Sequence, residues 1–174
     1  MELFEEYGIE FFARYAHIIS GVTWIGLLYY FNFVQTPSFA QFDAPARTEA
    51  VAKLVPRAMW WFRWAAASTF AFGLLLFALG SGGDYAPFDD MKSIQTLSIL
   101  AGMLFGTIMF LNVWLVIWPA QRTAIASAQG VLAGREPDPA AAAMARKAAC
   151  ASRTNTFFSI PMLFFLAATS HFVP

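Results

Sequence analysis

SIQTLSILAGMLFGTIMFLNVWLVIWPAQ, residues 93–121, runs for 29 residues without an Asp, Glu, Lys or Arg. At the α-helical rise such a run measures about 43 Å, more than the roughly 30 Å of hydrocarbon in a bilayer. Three other stretches share the property: Tyr15–Phe42, Trp64–Gly83 and Thr154–Pro174. The chain therefore reads as an all-α integral membrane protein, an up-down four-transmembrane-helix bundle. A single four-helix domain takes in residues 1–174, with spans at about 11–34, 58–80, 92–118 and 154–173.

Composition agrees with that solvent. Hydrophobic residues make up 59% of the chain and charged residues 13%, against roughly 25% charged in a soluble domain. The 11 basic and 11 acidic side chains cancel, so no net field favours nucleic acid, and the lipid bilayer is the expected partner. The cations are unevenly placed. Arg47, Lys53 and Arg57 fall between spans one and two, and Arg122, Arg135, Arg146, Lys147 and Arg153 between spans three and four. Arg14 and Lys92 lie on the opposite side, and Arg63 lies inside the start of span two. The positive-inside rule makes the two basic connections cytoplasmic and both termini periplasmic. Glu2, Glu5 and Glu6 replace the basic region of a signal peptide, so the N-terminus is expected to be retained. Cys150 is the one cysteine and no CxxCH occurs, which excludes an internal disulfide and covalent haem attachment.

Local signals place the connections. Pro37 marks the end of span one. Residues 42–57, with Pro45 and a Glu49–Lys53 pair at i,i+4, read as a solvated connector, a surface helix being the alternative. The aromatic run MWWFRW (59–64) is an interfacial belt opening span two, where Arg63 snorkels to the surface. GSGGDYAPFDD (80–90) is a turn, with Asp89 or Asp90 available to cap span three. Span three continues past Pro119 and stops near Gly134. Asp138 then caps a helix with Pro139 at its start, leading into span four, which Pro161 bends.

Chemistry rests on two histidines. His17 lies 16 residues from Phe33 and His171 lies 15 from Thr156, so the two sit about 24 and 22 Å above the cytoplasmic end at the helical rise. Two imidazoles at one level on two helices supply the axial pair of a six-coordinate haem b, which makes His17 and His171 candidate iron ligands. Arg14, one turn outward of His17, is placed to neutralise a propionate, and Gly21 and Gly26 to admit the macrocycle. The alternative is that each imidazole bonds a neighbouring helix or, at His171, the interface. Asn32, Asn112, Thr154 and Asn155 form a second polar set, read as interhelical stitching in preference to a substrate or quinone pocket. The Gly102–Gly106 step marks close packing.

The strings RYAHIISGVTWIG (14–26), NVWLVIWPAQR (112–122) and SRTNTFFSIPMLFFLAATSHF (152–172) resemble the membrane region of the bacterial membrane-bound urate hydroxylases, also called urate oxidases, the PuuD family. The resemblance implies a multi-pass bacterial inner-membrane protein. It also implies an oxidoreductase that passes electrons from urate to a cytochrome c, in a short form without the C-terminal cytochrome c domain. His17 and His171 are the positions on which it bears. The functional expectation is a haem-b-binding electron-transfer protein, alone or with other subunits of a membrane redox complex. The alternative is a cofactor-free accessory subunit packing against a larger complex. A transporter or channel is the third reading, with Pro161 as its only hint.

Overall fold

A computed structural model describes residues 6–80 and 93–171 of the chain. Among these residues all regular structure is helical, arranged as four long rods with no strand. The first rod joins α1 (Glu6–Tyr29), a π-helical segment (Tyr30–Gln35) and α2 (Thr36–Gln41). The second is a single helix, α3 (Ala44–Gly80). The third joins α4 (Ile94–Asn112), a π-helical segment (Val113–Ile117) and α5 (Trp118–Leu132), and the fourth is α6 (Ala141–His171). Three of the rods, over Gly8–Gln41, Ala44–Leu79 and Ile94–Leu132, are long and apolar enough to cross a membrane. Their outer faces match that solvent: Phe11, Val22, Phe33 and Leu115 are each about two-thirds exposed, a display an aqueous protein avoids.

Proline shapes the rods in a way the sequence reading missed. Pro37 does not end the first helix, which runs on to Gln41. Each π-helical segment stops just short of a proline, Pro37 in one case and Pro119 in the other. A proline ring collides with the carbonyl four residues back and donates nothing to it. Widening the preceding turn by one residue relieves the collision without breaking the rod. Thr36 shows the wider turn directly, with both its backbone N–H and its hydroxyl donating to the Phe31 carbonyl five residues back.

The connection at 42–57 is likewise no loop. Asp43 accepts the Ala46 N–H at 2.8 Å as an N-cap, and the helix then continues unbroken for 37 residues, about 55 Å. Pro56 lies inside it and leaves the Ala52 carbonyl without its usual donor. Gln129 of α5 supplies one, its Nε2 donating to Ala52 O at 3.2 Å. Lys53 pairs with Glu49 on the exposed side.

The remaining ends follow local rules. Ser93 caps α4 by accepting the Thr96 N–H at 3.1 Å; residues 81–90, with Asp89 and Asp90, lie outside the described residues. Gly134, at φ +76°, closes α5 as the left-handed residue of a Schellman motif, with Arg135 N–H donating to Gly130 O and Gly134 N–H to Val131 O. Asp138 then turns the chain toward α6, its side chain accepting the Ala140 N–H at 2.8 Å; Pro139 stays in that turn instead of opening the helix, which begins at Ala141.

Packing is pairwise and antiparallel. Along the first rod the stripe Ala13, His17, Gly21, Trp24, Leu28 and Phe31 recurs at helical spacing, and His17, Gly21 and Phe31 meet α3 at Gly73, Thr69 and Phe62. Contacts run in opposite directions along the two helices, from Phe12 with Phe72 to Phe31 with Phe62. On α4, the Gly102–Gly106 step receives α6: a β-carbon at Gly102 would stand 2.7 Å from Leu166 Cδ2, and one at Gly106 would stand 3.7 Å from Met162 Sδ. α5 wedges against both α3 and α6, which joins the two pairs through Val55, Met59, Val113, Ile117 and Ile125.

Candidate functional site

The seam between the first rod and α3 is apolar where Phe31 meets Phe62 but polar farther toward the start of α1. Ser20 and Ser68 share a hydroxyl hydrogen bond of 2.7 Å. One turn before Ser20, His17 is half-buried with its Nδ1 2.8 Å from the Thr69 carbonyl oxygen. A carbonyl only accepts, so Nδ1 carries the proton. In the neutral ring the Nε2 atom is then the one with a free lone pair.

Gly73 makes that geometry possible. A β-carbon there would stand 3.0 Å from His17 Cε1 and 3.3 Å from Nδ1, so the imidazole rests where any other residue would place a side chain. Thr69 sits on the same face of α3, and its hydroxyl turns back to the Ala65 carbonyl at 2.7 Å. The site is thus a polar notch in an apolar seam: a glycine floor, a carbonyl that orients the ring, and one uncommitted ring nitrogen.

The other expected members are placed differently. Arg14 lies on the exposed face of α1, one turn from His17, and pairs with Glu10. His171 is the last helical residue of α6, and its side chain lies outside the described residues. A β-carbon at Gly21 would stand 3.8 Å from the Thr69 methyl, whereas one at Gly26 would meet open space. Among the described residues no group of three or more His, Cys, Asp or Glu side chains gathers to hold a metal ion.

A second polar cluster joins the first, third and fourth rods along their middle stretches. Asn155, fully buried on α6, donates from Nδ2 to the Met109 carbonyl at 3.0 Å and accepts from Asn112 Nδ2 at 2.7 Å. Asn112 also donates to the Ala151 carbonyl at 2.9 Å. Asn32 donates to Ser152 Oγ at 2.8 Å, and the Tyr29 and Ser159 hydroxyls are 2.9 Å apart. This is the stitching expected of the asparagines. Thr154 takes no part, since its exposed hydroxyl bonds the Cys150 carbonyl of its own helix.

Tyr29, Ser152 and Ser159 are members that sequence reasoning missed. Serine and tyrosine in an apolar helix carry no signal of their own, although Ser152, Asn155 and Ser159 share one face of α6 at i, i+3 and i+7. Gln35 is buried nearby in sequence with its Oε1 unpartnered.

A family profile described as Urate oxidase N-terminal matches residues 88–173. The matched segment takes in α4, α5 and α6, including His171, and leaves α1 and α3 with His17 outside it. This portion of the chain is similar to the N-terminal region of a urate oxidase. No curated protein and no solved structure matches the chain.

Proposed function

We propose that this chain is a haem-b-binding electron-transfer protein of the bacterial inner membrane, working in a urate-oxidising or related redox system. The observation that carries the reading is the state of His17. Ligating histidines characteristically donate their other ring N–H to a carbonyl or carboxylate, which sets the tautomer and aims the ligating nitrogen. The Thr69 carbonyl does this for His17, and the glycine floor at Gly73 holds the ring in place.

Haem b held by His17 and His171 would supply one-electron transfer. In that arrangement His17 offers Nε2 from α1 and His171 is the ligand from α6. Helical register supports the pairing. The Tyr29–Ser159 hydrogen bond ties α1 to α6, and each histidine lies 12 residues from its member of that pair toward the same end, about 18 Å along each helix. Arg14, already on that turn of α1, is the nearby cation for a propionate, exchanging Glu10 for it.

The membrane reading supports the setting. Three rods are apolar enough to span, and α6 becomes a fourth span in this proposal because Thr154 through Pro174 carry no charge. The basic connections then face the cytoplasm and both termini the periplasm, where a cytochrome c is the expected electron acceptor. Similarity over residues 88–173 to the N-terminal region of a urate oxidase supports urate as the reductant.

The test is the optical spectrum of the detergent-purified chain, oxidised and dithionite-reduced, with iron analysis. A low-spin bis-imidazole haem spectrum that is lost or becomes high-spin in both His17→Ala and His171→Ala is expected. Absence of any Soret band after haem supplementation would remove the proposal and leave the cofactor-free accessory subunit in its place.

A further inference from the structure

Arg63 is the one cation within the apolar body of α3, and the described residues offer it no anion. No Asp or Glu occurs between Glu49 and Asp84, or between Ser93 and Arg135. The ion pairs among the described residues join Arg14 to Glu10 and Lys53 to Glu49. What surrounds Arg63 instead is tryptophan. Its guanidinium carbon lies 4.0 Å from the ring centre of Trp118, 5.8 Å from Trp64 and 5.9 Å from Trp114. Stacking of this kind accounts for the flat face of the cation. It does not satisfy the N–H groups at the rim. Arg63 Nε is sealed from solvent with no acceptor, and so is the neighbouring Trp114 Nε1. The terminal guanidinium nitrogens are not sealed, and no hydrogen bond reaches them from the described residues.

The depth of the group says which anion is at hand. Trp60, Trp61 and Trp64 are about half exposed on the same stretch of α3, and exposed tryptophans collect where hydrocarbon meets headgroups. Arg122 follows Trp118 by one helical turn on α5 and is exposed, which sets a second cation on that face toward the basic connections. A guanidinium whose plane is held by an aromatic ring presents its paired N–H groups as a fixed fork, the shape that meets two oxygens of a phosphate.

We infer that Arg63, stacked on Trp118 and flanked by Arg122, is a recognition site for the phosphate of an anionic phospholipid in the leaflet that borders the basic connections. Inorganic phosphate shares the chemistry but lacks acyl chains to lie along the exposed tryptophans, so the two sources separate experimentally.

The experiment titrates the purified full chain in nonionic detergent with phosphatidylglycerol, with phosphatidylcholine of the same acyl chains, and with sodium phosphate. Bound lipid is counted by native mass spectrometry and binding is followed by tryptophan fluorescence. Saturable phosphatidylglycerol binding is expected, weakened about tenfold in Arg63→Gln, as for loss of one charge-assisted hydrogen-bonded contact. Arg146→Gln, on an exposed turn of α6, is expected to bind as the wild type does. If Arg63→Gln does not fold by circular dichroism and gel filtration, Arg63→Lys carries the test. It keeps the charge, loses the stacked fork, and is expected to bind more weakly than the wild type. Equal binding by the folded Arg63 variant and the wild type overturns the inference. Displacement of the lipid by equimolar sodium phosphate overturns it as well, and assigns the site to a soluble oxyanion.

Discussion

Replacing Gly73 by alanine tests whether the His17 notch is a site or a packing accident. The new β-carbon would stand 3.0 Å from His17 Cε1, tighter than most such contacts, so the ring has to shift by a few tenths of an ångström and its 2.8 Å bond to the Thr69 carbonyl is strained, at most lost. Two stability effects then oppose each other. Alanine in a helix interior gains about 0.5–1 kcal/mol over glycine, while loss of an interhelical hydrogen bond in a membrane protein costs about 0.6 kcal/mol on average. They cancel to within about 0.5 kcal/mol, which in a chain of this size shifts the melting temperature by no more than about 2 °C. The fold is expected to survive while the imidazole changes state. Nitrogen-15 NMR of histidine-labelled protein in detergent checks it: the Nδ1–H signature of His17 is expected to give way to a mixture of tautomers, and any haem spectrum to lose its low-spin form. A Gly73→Ala protein that keeps the Nδ1–H signature and an unchanged spectrum would refute the reasoning, because the ring would then not depend on the glycine floor.

Two further substitutions probe the frame around that site. Asn155→Ala removes a fully buried amide that bonds both the Met109 carbonyl and Asn112, and is expected to lower stability by about 1–2 kcal/mol in a detergent unfolding titration. Gln129→Ala leaves the Ala52 carbonyl without a donor, but Pro56→Ala restores the helix's own donor to it. Measured by thermal melting, the Gln129 substitution is therefore expected to cost less in the Pro56→Ala background, a coupling of about 0.5 kcal/mol or more; strictly additive effects would show that the Gln129 bond does not answer the proline.

Prolines and glycines show where sequence reading succeeded and where it stopped. Gly134 and Asp138 were legible because the end of α5 and the turn into α6 are decided within a few residues: one residue must take a positive φ, and one carboxylate accepts a nearby N–H. Pro37 was misleading for the same local reason. A proline is a helix breaker in isolation, but in an apolar solvent an interrupted backbone would strand polar groups, so the chain widens into a π-turn and continues. The segment 42–57 misled by composition, since its charges resemble a loop's while its Asp43 cap and small buried faces at Ala52 and Val55 make it the start of α3.

The uncharged runs alone determined that this chain is helical and suited to lipid, because backbone polar groups in hydrocarbon must be satisfied within the helix, and apolar length is enough to say where. The matched depth of His17 and His171 along their helices also marked those two residues as candidates. Only the tertiary structure decided what His17 touches. The carbonyl of Thr69 and the missing side chain of Gly73 lie more than fifty residues away in the chain, and no spacing rule connects them. Which face of α1 meets which face of α3 depends on the packing of whole helices, where close approach at small residues sets the register.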